Sequence, residues 1–315
     1  MQEFLVMLKN VIIFVLLALP GYITVKTKLF KSEDSNVVSK LAIYVAVPFF
    51  IVGSTLNIDL TGEFAKNLLI TAGIFSLFTV LGLLLAKVFI KNDERKLAGL
   101  ERFCIVFSNN GFIGLPLAEA IFGLSSPVIA YIVVINVINN IVLMLIGPYM
   151  FTGDKSSISF KGIVKSPVLI AFVIALIINL IGFEPVTKEA LYYSNYLKNM
   201  VTPLTMTILG MKFANVKMTE LFTSKRVYYV SFLKLVVMPI ILMAILFGIN
   251  AIVNIDAGIM FAIFIGFATS TASLATSLSD RNKVGEKEAA LYVLGTTLFS
   301  VITLPILYGL LCLII

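Results

Sequence analysis

The sequence predicts an all-α polytopic membrane protein with ten transmembrane helices. Hydrophobic residues make up 59% of the chain and charged residues 13%, whereas about a quarter of the residues in a soluble domain are charged. Apolar runs of roughly 20 residues, the length that crosses a bilayer, recur along the whole chain. The ten predicted spans are about residues 5–29, 36–56, 64–90, 96–123, 126–150, 163–183, 188–212, 224–250, 255–279 and 287–314.

The distribution of basic residues agrees with ten spans and orients the chain. Most of the 24 Lys and Arg residues lie in the odd-numbered loops, while the even-numbered loops hold Lys66, Lys188 and Lys198. Cytoplasmic loops are enriched in Lys and Arg, so we expect both termini outside. The net charge of +7 then reflects topology, and no nucleic-acid partner is expected.

The side chains present leave few kinds of chemistry open. The chain has no histidine, and its two cysteines, Cys104 and Cys312, are far apart. The commonest general base and the usual metal clusters are therefore missing, as is a Walker-type phosphate-binding loop. We expect neither an enzyme nor an ATP-driven pump, and no cofactor.

Short motifs recur at a nearly constant spacing. Pro48 and Pro203 lie 155 residues apart, and Pro148 and Pro305 lie 157 apart. We expect two halves of five spans, residues 1–151 and 163–315, joined by a cytoplasmic linker at 152–162. An odd number of spans inverts the second half, and secondary transporters built in this way bind substrate where interrupted helices meet.

Two spans contain runs that weaken a helix. Residues 107–123 read FSNNGFIGLPLAEAIFG, and residues 266–280 read GFATSTASLATSLSD. Helix interiors tolerate Gly and Pro poorly, and irregular backbone lies at membrane depth only inside protein or beside a cavity. We expect spans four and nine to be broken, Gly114 and Pro116 shaping the first break and Gly266 the second. A closely packed, continuous ninth helix is the alternative.

Residues 109–117, NNGFIGLPL, resemble the fourth-helix motif of the auxin efflux carrier (PIN-like) family, which includes bacterial malate and malonate permeases. Pro20-Gly21, Val47-Pro48 and residues 234–239 also agree with the family, whereas Ser270 stands where its members often have proline. The resemblance implies two inverted five-helix repeats with broken, crossed helices four and nine, as in sodium/proton antiporters and bile acid symporters. It also implies alternating access in a bacterial inner (plasma) membrane.

Candidate binding residues lie in the broken spans and in two neighbours. An amide both donates and accepts hydrogen bonds, and the N-terminus of a half-helix attracts an anion. The expected substrate-binding residues are Asn109, Asn110, Gly111, Thr269, Ser270, Thr271, Asn136, Asn140 and Lys234.

Several of these residues have a competing structural role. Asn110 could cap the half-helix that follows it, and the amides of span five, Asn136 and Asn140, could bond neighbouring helices. Lys234 could extend to the cytoplasmic boundary. Glu119 is the expected group for proton or cation coupling, with a boundary carboxylate or a pair with Lys234 as the alternatives.

The leading interpretation is a secondary transporter for a small organic anion, a malate-like mono- or dicarboxylate. A Na⁺- or H⁺-coupled symporter of an amphipathic substrate is one alternative, and a membrane ligand sensor that does not transport is another. The expected partners are the anion, Na⁺ or H⁺, membrane lipid, and a second copy of the chain in a homodimer.

Overall fold

The computed structural model describes residues 2–56, 62–91, 97–123, 126–158 and 161–315, and over these residues the chain is helical. The helices of the first half are α1 Gln2–Lys26, α2 Ser35–Leu41, α3 Val47–Leu56, α4 Gly62–Phe89, α5 Ala98–Val106, α6 Leu115–Phe122 and α7 Pro127–Thr152. The helices of the second half are α8 Lys161–Val164, α9 Pro167–Ile181, α10 Glu184–Lys198, α11 Val201–Asn215, α12 Met218–Thr223, α13 Lys225–Phe232, α14 Met238–Val253, α15 Ala257–Ala268, α16 Leu274–Asn282 and α17 Glu286–Ile314. Residues 159 and 160 of the predicted linker lie outside the described residues.

Helix length and composition identify a polytopic membrane protein. The helical runs in the described chain that are long and apolar enough to cross a bilayer are Leu5–Lys26, Ser32–Leu56, Gly62–Phe89, Pro127–Thr152, Lys225–Val253 and Glu286–Ile314. The shorter apolar helices are Asn110–Phe122, Pro167–Ile181 and Ala257–Ala268. The all-helical class is therefore confirmed for these residues, and ten spans in two inverted halves stay a prediction.

The predicted seventh span, residues 188–212, is divided into α10 and α11. The α10 segment carries Lys188, Glu189 and three exposed tyrosines, so its composition is that of a helix at a membrane surface, where Tyr is enriched. The apolar part is α11, whose 15 residues extend about 22 Å at 1.5 Å per residue.

Prolines explain three local changes in helix geometry. Single π-helical turns occur at Ala42–Ala46, Asn110–Gly114 and Leu233–Val237. A proline lies two residues after each turn, at Pro48, Pro116 and Pro239. Proline lacks an N–H, and its ring clashes with the carbonyl four residues earlier, so the preceding turn widens into a π-bulge.

The helices pack as two bundles. The first bundle contains α1–α3 and α9–α11, in which α1 packs on α11 and α3 packs on α9 and α10. The second bundle contains α4–α7 and α13–α17, in which α15 packs on α7 and α4, and α17 packs on α13 and α16. Contacts of α1 with α17 and α6 join the two bundles.

Two glycines determine how α1 and α11 meet. A Cβ at Gly21 would lie 2.1 Å from the carbonyl oxygen of Thr207, and a Cβ at Gly210 would lie 1.8 Å from that of Ala18. Small residues of this kind let membrane helices approach closely. The close contact fixes the rotation of α11 about its axis, and so it decides which α11 side chains face the second bundle.

Candidate functional site

The chain leaves the helical conformation in both runs that the sequence singles out. After α5 ends at Val106, Phe107 is extended, and after α15 ends at Ala268, Thr269 is extended. An antiparallel bridge joins Ser108 and Thr271. Its hydrogen bonds run from Asn109 N–H to the Ser270 carbonyl (2.8 Å) and from Ala272 N–H to the Phe107 carbonyl (2.9 Å). Residues 107–109 and 269–273, which we call the crossover, thus pair their backbones where two broken helices meet.

Lys234 lies against the carbonyl ends of both half-helices. Its Nζ donates to Ser108 Oγ (2.6 Å) and to the carbonyl oxygens of Val106 and Phe267 (3.4 Å each). A protonated lysine has three N–H donors, and these contacts supply three acceptors. A helix C-terminus carries partial negative charge. The Lys234 ammonium therefore offsets the partial charges at the ends of α5 and α15 together. The side chain is 1% exposed and is absent from the cavity described below.

The hydroxyls of the second break make hydrogen bonds within the protein. Thr271 Oγ1 donates to the Cys104 carbonyl (2.7 Å), and Thr297 Oγ1 donates to Ser270 Oγ (3.1 Å). Thr269 Oγ1 donates to Asn110 Oδ1 (3.4 Å). The expected binding residues Thr269, Ser270 and Thr271 are fully buried and do not line the cavity.

The structure corrects the expected position of the second break. Gly266 lies inside α15, which continues to Ala268, so the interruption begins at Thr269. A Cβ at Gly266 would lie 2.8 Å from Ile135 Cγ2 and 3.0 Å from Phe75 Cε2, and this glycine therefore permits close helix packing. In the first break, Gly114 ends the π turn and Pro116 is the second residue of α6, so both lie after the extended residues.

A polar cavity of about 160 Å³ lies between the bundles on one side of the crossover. The crossover, the π turn that follows Asn109 and helix α7 together supply Asn109, Asn110, Gly111, Asn136, Asn139, Asn140 and Ser273 to its lining. The first bundle and the segment before α9 supply Asn36, Ser39, Ser166 and Lys212. The expected residues Asn109, Asn110, Gly111, Asn136 and Asn140 are thereby brought together, and Asn139 joins them.

Two amide nitrogens in this lining have no acceptor among the described residues, namely Nδ2 of Asn110 and Nδ2 of Asn136. Their oxygens are engaged: Asn110 Oδ1 accepts from Thr269, and Asn136 Oδ1 accepts from Asn140 Nδ2 (2.9 Å). Asn140 Nδ2 also donates to the Asn136 carbonyl oxygen (2.8 Å), and this fixes which end of the Asn136 amide is the donor. A buried donor without an acceptor costs about 1–3 kcal/mol, so each of these amides favours a hydrogen-bond acceptor beside it.

Helix ends add to this preference for an acceptor. The first N–H groups of a helix have no acceptor within that helix, and they carry partial positive charge. Both half-helices begin at the cavity. Its lining includes Gly111 and Phe112 at the start of the first and Ser273 and Leu274 at the start of the second. No Asp or Glu occurs in the lining within the described residues, so the site can hold a small anion.

Sequence comparisons identify the class of protein that carries this site. The family model described as "Membrane transport protein" matches residues 5–161 and 155–308. The chain belongs to this family. The family is that of the auxin efflux carriers, or PIN-like proteins, and it is a family of membrane transporters rather than of enzymes.

Two archaeal proteins are similar to this member of the family, and each is named an uncharacterized transporter. The one from Methanocaldococcus jannaschii is 28% identical over 213 residues, which cover 65% of this chain and 68% of the relative. The one from Methanothermobacter thermautotrophicus is 27% identical over 208 residues, or 64% of this chain and 67% of the relative.

Lys212 is a residue of the transporter's cavity that the sequence patterns do not single out, because it belongs to the basic residues of the odd-numbered loops that orient the chain. It lies in the last turn of α11 and lines the polar cavity. Gly210 faces α1, and at 3.6 residues per turn Lys212 points roughly 200° away from it. The spacing from Gly210 is therefore a signal that could have found Lys212, once the contact with α1 was known.

Glu119 lies apart from the polar cavity. It is half-buried on α6, and the charge that acts on it is that of Lys198 at the end of α10. The two residues belong to different bundles. Glu119 therefore faces the gap between the bundles, on the side of the crossover toward which α6 runs.

A second buried charged side chain joins the helices that carry the site. Glu101 on α5 is fully buried, and Arg226 Nε donates to its Oε1 (2.7 Å) while Nη2 donates to its Oε2. Tyr292 on α17 also donates to Oε1 (2.9 Å). Bidentate pairs of this kind are geometrically specific, so the cluster fixes α5, α13 and α17 relative to one another.

An apolar cavity of about 260 Å³ lies next to the polar one, between α1, α6, α11 and α17. A space of about 20 Å³ lies between them. It shares Asn109, Phe112 and Lys212 with the polar cavity, and Ile113 and Leu209 with the apolar cavity. The transporter therefore has a charged and an apolar compartment in contiguous positions.

Proposed function

We propose that this member of the membrane transport protein family is a secondary transporter for a small organic anion, a malate-like mono- or dicarboxylate. The observation that carries the proposal is the pair of buried amide donors, Asn110 Nδ2 and Asn136 Nδ2, which lack acceptors in the described chain. A carboxylate supplies acceptors for both, and its charge complements the half-helix N-termini.

The size of the cavity restricts the substrate. A volume of about 160 Å³ is below the roughly 300–1,000 Å³ of pockets that hold drug-sized ligands. A compact acid of few carbon atoms is therefore the class that we propose.

The two bundles provide the moving parts in this proposal. Substrate would bind between them at the crossover, and movement of one bundle past the other would expose the site to each side in turn. On the predicted topology, with two inverted five-helix halves and both termini outside, Asn36, Ser166, Lys212 and Ser277 lie toward the cytoplasm. All four line the polar cavity, so we assign this conformation as inward-facing.

Uptake into proteoliposomes tests the proposal. Labelled malate, succinate and lactate should enter vesicles that contain the purified protein, and Asn109→Ala should reduce the rate at least tenfold. Asn109 is 8% exposed and lines the cavity, whereas Asn195 on α10 is exposed, so Asn195→Ala is the matched control. Absence of anion uptake, or equal loss in both variants, would count against the proposal.

The apolar cavity favours a second candidate, a Na⁺- or H⁺-coupled symporter of an amphipathic acid. The acid group would lie beside Asn109 and the apolar part beyond Ile113, with Glu119 as the coupling group. Competition separates the candidates: octanoate should displace labelled succinate more strongly than butyrate does if the apolar cavity binds substrate. Equal displacement by the two acids would favour the small-anion transporter.

A further inference from the structure

We infer that Lys212 is the charge-selecting residue of the site and that it binds an anionic group of the substrate from the bundle opposite the amides. The inference rests on the proposed function, and it assigns a role to a residue outside the broken helices. It starts from the position of α11, which Gly210 presses against α1.

The α11 face that points away from α1 carries a stripe of residues toward the crossover. Thr205, Ile208 and Lys212 follow one another at intervals of three and four residues, and all three line the space beside Asn109. Residues at this spacing share one side of a helix. Lys212 is the charged member of the stripe, and it alone of the three also lines the polar cavity.

The α11 helix end is held in place independently of the lysine side chain. Ser32 Oγ donates to the carbonyl oxygen of Met211 (3.2 Å), which ties the connection between α1 and α2 to the last turn of α11. The Lys212 Nζ itself makes no hydrogen bond within the described chain, although the exposed Asp280 on α16 acts on it electrostatically. The lysine is thus positioned by the backbone, and its donors remain available to a ligand.

The opposite wall of the cavity belongs to the second bundle. Asn110 and Asn136 lie in this wall, and their buried amide nitrogens have no acceptor within the described chain. An acid that contacts both walls would bridge the two bundles, with the Lys212 ammonium on one side of it and the neutral amide donors on the other. Neutral amides bind a carboxylate or its carboxamide, whereas an ammonium gains most from the charged form. The discrimination between acid and amide therefore depends on Lys212.

The test compares an acid with its uncharged diamide, because a monoamide would keep one carboxylate for Lys212. Calorimetric titration of the purified full-length chain with succinate and with succinamide should show at least a tenfold preference for succinate, the value of one charge-assisted hydrogen bond. Lys212→Gln should bind the two probes within about threefold, and Lys212→Arg should keep the preference. Lys217→Gln, which removes an exposed lysine that does not line the cavity, should behave as the unmodified chain does.

The outcomes separate this inference from the proposed function. If the unmodified chain binds succinate and Lys212→Gln keeps the full preference over succinamide, the role of Lys212 is wrong and the small-anion proposal stands. If the unmodified chain binds succinate and succinamide equally, charge selection is wrong, whatever the variants do. If the unmodified chain binds neither succinate nor any other small carboxylate, the proposed function fails and this inference fails with it.

Discussion

The crossover has two sides that treat the helix ends in opposite ways. Where α5 and α15 end, Lys234 and Ser108 engage the carbonyl oxygens of the chain itself. Where the half-helices begin, Asn110 and Asn136 retain buried amide donors without acceptors in the described residues. The first side is complete within the protein, and the second keeps donors without acceptors in the described residues.

One lysine belongs to each side, and their surroundings give them different tasks. Lys234 is 1% exposed and has three acceptors within the protein. Lys212 is partly exposed and makes no hydrogen bond within the described chain. The comparison teaches that burial does not identify the lysine that lines the cavity, because the more deeply buried lysine bonds carbonyl oxygens at the ends of α5 and α15.

Substitution of Lys234 should have the largest effect on stability. Lys234→Met removes at least two hydrogen bonds from a charged donor, each worth about 1.5–3 kcal/mol, so the free energy of unfolding should fall by at least about 3 kcal/mol. Lys212→Met should cost less than about 1 kcal/mol, the value of a charge at a helix C-terminus.

The buried thiol of Cys104 provides the measurement. In a Cys312→Ser background, a maleimide dye should label Cys104 only after unfolding. The chain has no tryptophan, so this label replaces tryptophan fluorescence as the probe of unfolding. Denaturant titration followed by this label gives both free energies. Equal losses for the two lysine variants would contradict the contrast between the two sides of the crossover.

Substitution on the cavity side should weaken binding while leaving the fold intact. Asn110→Ala and Asn136→Ala each remove one donor to a charged acceptor, so the Kd for succinate should rise about tenfold or more. The free energy of unfolding should change by no more than about 1.5 kcal/mol, since each amide oxygen contributes one internal bond. Calorimetry measures the first quantity and Cys104 labelling the second. A large loss of stability with unchanged affinity would reverse the assignment of this side.

Within the second break, removal of two neighbouring hydroxyls should change the free energy of unfolding by smaller and unequal amounts. Thr271→Val removes the 2.7 Å bond to the Cys104 carbonyl and should cost about 1 kcal/mol of unfolding free energy. Ser273→Ala alters a residue that lines the cavity and should cost less than half as much. If Ser273→Ala proved the more costly of the two, the division of residues 269–273 between support and lining would be wrong.

The smallest expected effect is a change in succinate affinity on removal of the Asp280 carboxylate near Lys212. Asp280 is exposed, and exposed charges interact by about 1 kcal/mol or less. Asp280→Asn should therefore tighten succinate binding by up to about fivefold at low ionic strength, and salt should abolish the gain. Binding that weakens on removal of Asp280 would show that its carboxylate assists the site.

The sequence by itself determined the class of protein and the location of its irregular segments. Apolar runs and few charges require a membrane environment, and the Gly- and Pro-containing run at residues 107–123 cannot form an ordinary transmembrane helix. Asn109 and its neighbour Asn110 follow from the same run. These features are local, because composition and backbone propensity can be read without knowing which helices touch.

The tertiary structure decided which side of each segment faces the polar cavity. Thr269–Thr271 lie in the predicted segment, yet their hydroxyls bond Asn110, the Cys104 carbonyl and Thr297 of α17 and do not line the cavity. Lys212 lines the cavity and Lys234 does not, because the orientation of a helix about its axis depends on its partner. For α11 that partner is α1, whose backbone approaches Gly210 too closely for any side chain. A contact between residues that are distant in sequence thus turned a lysine read as a topology marker toward the cavity.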